Sequence, residues 1–223
     1  MIAIEMLPAE DRVRVGDAWL EAGLGEHASV AAFARFVLHL LSLGAPPDLV
    51  RAAIRAMDDE VEHARLCFGI ARRFTEQPAG PGPMNLSGVF AEPDDLHSIL
   101  EAAILEGCIA ETISARCAQE SLKRLKDESI EPALSRIAED ESRHADLSWD
   151  FVAWMLARDP SLKDTAAACF ERALDHQASD LGEEPEEYAT LEDFGHLTHS
   201  SRAQLAGAVI QSEIRPRMDA LLN

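Results

Sequence analysis

The octapeptide Asp59-Glu60-x-x-His63-Ala64-x-Leu66 is spelled a second time as Asp140-Glu141-x-x-His144-Ala145-x-Leu147. Glu and His three positions apart on a helix project from one face, so each copy offers a carboxylate and an imidazole to the same metal cluster. In a Glu-rich chain with eight histidines, roughly one such pair would arise by accident, so the signal lies in the duplication and its matched flanks. Of the eight histidines, only His63 and His144 have Glu at minus three.

An internal duplication should repeat what precedes the first copy as well. Glu26-x-x-Ser29 is paralleled by Glu111-x-x-Ser114; Glu111 follows Glu26 by 85 positions, and Glu141 follows Glu60 by 81. The difference of four fits a change of loop length. Two antiparallel helices bring residues to one level only when each lies equally far from the connecting turn. The midpoint of Glu26 and Glu60 is residue 43, in Leu43-Gly44-Ala45-Pro46-Pro47, a strong signal for one helix to stop and another to start. The midpoint of Glu111 and Glu141 is residue 126, shortly before Pro132, which suits the first turn of a helix. Each carboxylate pair is therefore expected to meet across a helical hairpin. Glu106 competes for the third position, but its midpoint with Glu141 falls earlier, and at α-helical pitch it points about 140° away from Glu111.

The elements that must position these residues are helices. Apolar residues recur mainly at spacings of three and four, as in Leu20, Leu24, Ala28, Ala31, Phe33, Val37 and Leu40, and strand-like alternation is absent. The class is all-α. Four helices are expected over about 8–43, 47–74, 93–126 and 129–157. Gln77-Pro78-Ala79-Gly80-Pro81-Gly82-Pro83 cannot be helical, so the segment to Glu92 forms a long crossover between two hairpins. A fifth helix is expected to run from Asp159-Pro160 to about Ala178, Leu181 to His196 is acidic and irregular, and a last amphipathic helix ends or kinks near Pro216. This divides the chain into a bundle over 1–158 and a helical extension over 159–223, which covers one end of the bundle or forms a subunit interface. At 223 residues the chain is long enough to bury a sizeable core.

A net charge of −20 argues against a nucleic-acid partner, which requires a basic surface. Arg35 and His39 interrupt the most apolar stretch, Val30 to Leu43, so no membrane span is expected. The first sixteen residues lack a basic start followed by an apolar core, so no secretory signal is visible. Cys67, Cys108, Cys117 and Cys169 form no Cys-x-x-Cys pair and read as free thiols in a reducing cytoplasm.

Placed together inside a bundle, Glu26, Glu60, Glu111 and Glu141 would bring four negative charges into a low-dielectric interior. That is very costly unless they are protonated or neutralised. Two divalent cations cancel the charge, and His63 and His144 add one imidazole nitrogen each. Oxygen-rich ligands with one His per metal suit iron or manganese better than zinc. Two adjacent ferrous ions can deliver two electrons to dioxygen.

One Glu, then Glu-x-x-His, then one Glu, then Glu-x-x-His on four helices resembles the ferritin-like di-iron carboxylate proteins over roughly residues 10–157. The resemblance implies a ferritin-like four-helix bundle with two additional C-terminal helices. It implies Glu60 and Glu141 as bridging carboxylates, Glu26 and Glu111 as terminal ligands, and His63 and His144 as one imidazole per iron. Asp59 and Asp140 match the acidic residue that precedes the Glu in many di-iron oxygenases, where it accepts a hydrogen bond from a ligand His. The Asp140-Glu141-x-Arg143-His144 copy is most similar to the motif of bacterial multicomponent monooxygenases. Storage ferritins lack the second Glu-x-x-His. Rubrerythrins carry an additional Glu where this chain has Cys108, and a Cys-rich module that it lacks. The small subunit of ribonucleotide reductase needs a Tyr beside the metals, whereas the only tyrosine here is Tyr188, far from the ligand helices.

The implied activity is that of a stand-alone di-iron oxygenase or oxidase, similar to amine N-oxygenases or the tRNA-modifying hydroxylase, the latter fitting the acidic charge poorly. It would act on dioxygen or peroxide and a small organic substrate, with electrons from a separate reductase or ferredoxin. The cofactor is two iron ions, with iron–manganese and manganese–manganese compatible with the same ligands. A ferroxidase or peroxide scavenger and a non-catalytic metal-binding protein are the alternatives, and a homodimer is compatible with the sequence. His27 lies about 100° around the helix from Glu26 and is read as a surface or interface residue. His196-x-x-His199 lacks a third ligand. Phe33, Phe36, Phe68, Phe151 and Trp154 are assigned to core packing.

Overall fold

The computed structural model describes residues 4–75, 78, 80–86, 95–179 and 189–223. All regular structure among them is helical: α1 Ala9–Leu43, α2 Pro47–Thr75, α3 Leu96–Ala102, α4 Thr112–Arg124, α5 Glu131–Arg158, α6 Lys163–Ser179, α7 Thr190–Asp193, α8 His199–Val209 and α9 Arg215–Leu222. Two π-helical stretches, Ala103–Glu111 and Ile210–Ile214, join α3 to α4 and α8 to α9 without a break. No helix among the described residues is long and apolar enough to cross a membrane. The chain divides into two compact units, one comprising residues 1–91, 118–137 and 188–198, the other 92–117, 138–187 and 199–223.

In the first unit, α1 ends where Gly44 enters the left-handed region at φ 64°. Its N–H reaches Leu41 O at 3.1 Å and the Ala45 N–H reaches Leu40 O at 2.9 Å, the paired bonds of a Schellman stop. Pro47 then opens α2, where a missing N–H costs nothing. The turn thus falls at the midpoint expected from Glu26 and Glu60. The hairpin packs Val15, Trp19, Cys67, Ile70, Ala71 and Phe74 with Ile130, Leu134, Ile137 and Phe194 into one core. Asp127, fully buried, accepts hydrogen bonds from Ser129 N and Arg73, so α5 begins at Glu131, two residues later than the pattern suggests.

The segment expected to be irregular includes the helical turn α7, and the part before residue 189 lies outside the described residues. Phe194 is fully buried, and its carbonyl accepts a 2.9 Å hydrogen bond from Trp19 Nε1. Lys126 N and Asp127 N bond Asp193 O. Acidic composition hid this anchor, because one apolar side chain and two carbonyls do the tying. Of the expected crossover, residues 78 and 80–86 have no regular structure, and the rest lies outside the described residues.

In the second unit, Asp95 caps α3 by accepting from Ser98 N at 2.8 Å. Ile99, Leu100, Ile104, Cys108 and Ile109 are buried along the α3–π stretch, Phe151, Val152 and Met155 along α5, and Phe170 and Leu174 along α6. Trp149 stacks on Phe170 with ring centroids 5.4 Å apart, and Arg217 lies over the Trp149 ring at 4.7 Å. Arg116 of α4 forms a two-pronged ion pair with Glu213 at 2.6 and 2.7 Å, tying the C-terminal helices to this unit. Pro216 does not end the helix: the wider π turn at Ile210–Ile214 precedes it, and α9 runs on through it. Phe33, Phe68 and Phe151 are buried as expected, whereas Phe36 and Trp154 are only half-buried.

Gly107 admits α5 to close range, since a Cβ there would stand 2.2 Å from Ser148 Oγ and 2.5 Å from its Cβ. Gly107→Ala is expected to destabilise by about 1–3 kcal/mol through overpacking. Adding Ser148→Gly should recover part of that loss, measured by urea unfolding. An unchanged midpoint in Gly107→Ala would contradict the close approach.

Candidate metal centre

Among the described residues, each unit brings possible metal ligands together. In the first, His63 Nδ1 lies 3.5 Å from Glu26 Oε2 and 3.8 Å from Glu60 Oε2. Glu26 comes from α1 and the other two from α2, one turn apart, so the Gly44 stop and the Pro47 start set their common level. Glu60 and His63 are 1% and 0% exposed, while the Glu26 side chain retains 19%. In the second cluster, Glu111, Glu141 and His144 offer ligand atoms that all lie within 4.8 Å of one another. His144 Nδ1 is 3.8 Å from Glu141 Oε1. Glu141 and His144 are buried and Glu111 is half-buried.

Each unit thus brings two carboxylates and one imidazole together, Glu26, Glu60 and His63 in the first and Glu111, Glu141 and His144 in the second. Separations of 3.5–3.8 Å exceed a good hydrogen bond. They resemble the spacing of donor atoms around one ion, which stand roughly 3.0–3.5 Å apart when each is about 2.1 Å from the metal. Two carboxylates and one divalent cation are neutral together, so one ion per group removes the cost of the buried charge. Each donor set fits iron or manganese on hard-oxygen grounds.

Glu106 is exposed and belongs to neither group. Glu111 ends the π-helical stretch, so the angle between these two residues is not the one an α-helix would give; the sequence contains no signal for that turn. The stretch is followed by Thr112, whose hydroxyl donates to Cys108 O at 2.6 Å and accepts from Trp149 Nε1 at 3.2 Å. These bonds join the helix at Glu111 to α5 five residues beyond His144, and the spacing of the motifs gave no hint of Thr112 or Trp149.

Asp140 is buried, and its carboxylate pairs with Arg143 at 2.6 Å. Asp59 is half-buried. His27 lies outside both groups. His196 packs edge-on against Trp19, with centroids 4.4 Å apart, and neither it nor His199 joins a ligand cluster among the described residues. All four cysteines are free. Burial pushes the Cys108 thiol far up, against the smaller opposing effect of Arg217, so it stays a neutral thiol. Comparison with protein-family models, with curated proteins and with solved structures finds no match.

Proposed function

We propose that this chain is a ferritin-like dimetal carboxylate protein that activates dioxygen to hydroxylate or oxidise a small organic substrate. The observation that carries this reading is the occurrence of two carboxylate–carboxylate–imidazole groups, one from each copy of the duplicated motif. Glu26, Glu60 and His63 would hold one ion, and Glu111, Glu141 and His144 the other. Two bound ferrous ions would supply two of the four electrons that full reduction of dioxygen requires, the others coming from the substrate or the external donor.

The residues themselves contribute placement and exclusion of water. Burial of Glu60, His63, Glu141 and His144 keeps these groups dry, which strengthens their electrostatic interactions. The more accessible carboxylates, Glu26 and Glu111, mark the side from which a substrate could approach each group. Arg143 pairs with Asp140 within the second motif. Electrons would come from a separate reductase or ferredoxin.

The test is metal analysis of the protein after expression with iron, followed by oxygen uptake with a chemical reductant and a panel of small amines and aromatics. Two ions per chain with reductant-dependent oxygen consumption support an oxygenase or oxidase. Rapid turnover of free ferrous iron without substrate dependence would replace that reading by a ferroxidase, and absence of iron and manganese would overturn it altogether.

A further inference from the structure

Of the six residues expected as ligands, Glu111 alone lies in a π-helical stretch, as its last residue. Glu26, Glu60, His63, Glu141 and His144 take their direction from the regular pitch of α1, α2 and α5. Where the hydrogen-bond pattern changes from π to α, no regular pitch sets the direction of a side chain. What fixes Glu111 must come from its neighbours.

The next residue, Thr112, is 1% exposed. Its N–H reaches back three residues to Ile109 O. The Cys108 carbonyl, four residues back, is the acceptor that this N–H would take in a regular α-helix; the Thr112 hydroxyl donates to it instead, at 2.6 Å. With its proton committed to Cys108 O, the hydroxyl presents a lone pair, and Trp149 Nε1 donates to it at 3.2 Å. Trp149 is buried and itself held: its ring stacks on Phe170 and meets the Arg217 guanidinium, which Asp146 pairs at 2.9 Å. On the other side of Glu111, Gly107 closes on Ser148. Two successive residues of α5, Ser148 and Trp149, thus meet this helix four residues before Glu111 and one after it.

We propose, on the dimetal reading of the site, that Thr112 and Trp149 are positioning residues for the second metal group: the indole N–H fixes the Thr112 hydroxyl, and the hydroxyl fixes the turn from which Glu111 reaches Glu141 and His144. Neither is among the donors, and both act through Glu111. A valine at 112 would match the shape of threonine yet leave the buried Trp149 N–H without its acceptor, so the turn relaxes and the direction of Glu111 with it. Partners that orient a metal ligand typically contribute about 10–100-fold in affinity.

The test is equilibrium dialysis of the metal-stripped full chain against Mn²⁺, a probe that needs no reductant, with circular dichroism to check folding. The wild type should take two ions. Thr112→Val should weaken one of them by about 10–100-fold and leave the other unchanged, and Thr112→Ser, which keeps the hydroxyl, should restore the wild-type affinity. Trp149→Phe keeps a ring against Phe170 and Arg217 and removes the N–H. It should weaken the same single ion, and the double variant should bind no more weakly than Thr112→Val alone, as expected when both act through one bond. No Mn²⁺ uptake by the wild type would overturn the metal site itself, and the positioning role with it. Two normal affinities in Thr112→Val, an equal loss in Thr112→Ser, or additive losses in the double variant would overturn the positioning role while leaving the metal site in place.

Discussion

Glu60→Ala and His144→Ala are each expected to lose at least one of two bound metal ions, whereas His27→Ala keeps both. Each group has few protein donors among the described residues, so removing one leaves a hydrated cation weakly held. Outer partners of metal ligands typically cost 10–100-fold in affinity when removed, and a direct donor should cost more than about 100-fold. Glu60 and His144 are almost completely buried, so water can replace the missing oxygen or nitrogen only at a packing cost. His27 adjoins Glu26 in sequence but stands outside both groups, which makes it the control for nonspecific loss. Inductively coupled plasma analysis of the dialysed variants, with circular dichroism to check folding, decides the matter. Normal two-ion stoichiometry in Glu60→Ala would refute its assignment as a ligand.

Trp19→Ala is expected to destabilise the chain by about 3–5 kcal/mol, the range for truncating a buried aromatic to alanine. Trp19 is 2% exposed, sits in the core of the first unit, donates to Phe194 O and meets His196 edge-on. Its removal would leave a cavity and a carbonyl without its donor while loosening the indole's links from α1 to Phe194 and His196. Trp19→Phe separates these effects: most of the packing stays and the hydrogen bond goes, so about 1–3 kcal/mol is expected. Guanidinium unfolding of both variants measures the difference. Equal losses in the two would show that the hydrogen bond, not the ring volume, holds this segment.

Much of the site was legible because helical hairpins convert sequence distance into spatial level. Gly44, Pro46 and Pro47 announce the first turn by chemistry that is local to them, and so Glu26, Glu60 and His63 could be brought together on paper. Glu111 was harder. Its helix contains a π-helical stretch in which Gly107 closely approaches Ser148, 41 positions away in sequence, and no local signal reports it. The same holds for Phe194. A single aromatic in an acidic stretch gives no periodic pattern, yet Trp19, 175 positions away, decides its conformation. The division of the chain into two interleaved units also rests on distant contacts, which neither composition nor spacing encodes.

The widened turn at Ala103–Glu111 has a bearing on ancestry. A helix that closes its bonds one residue later than usual accommodates an extra residue without unwinding, so everything on one side is displaced by one position against the other. A cousin of this chain lacking that extra residue would align with it only through a gap in the middle of a continuous, largely buried helix. Alignments customarily forbid gaps there, and descent from a common precursor could then pass unnoticed.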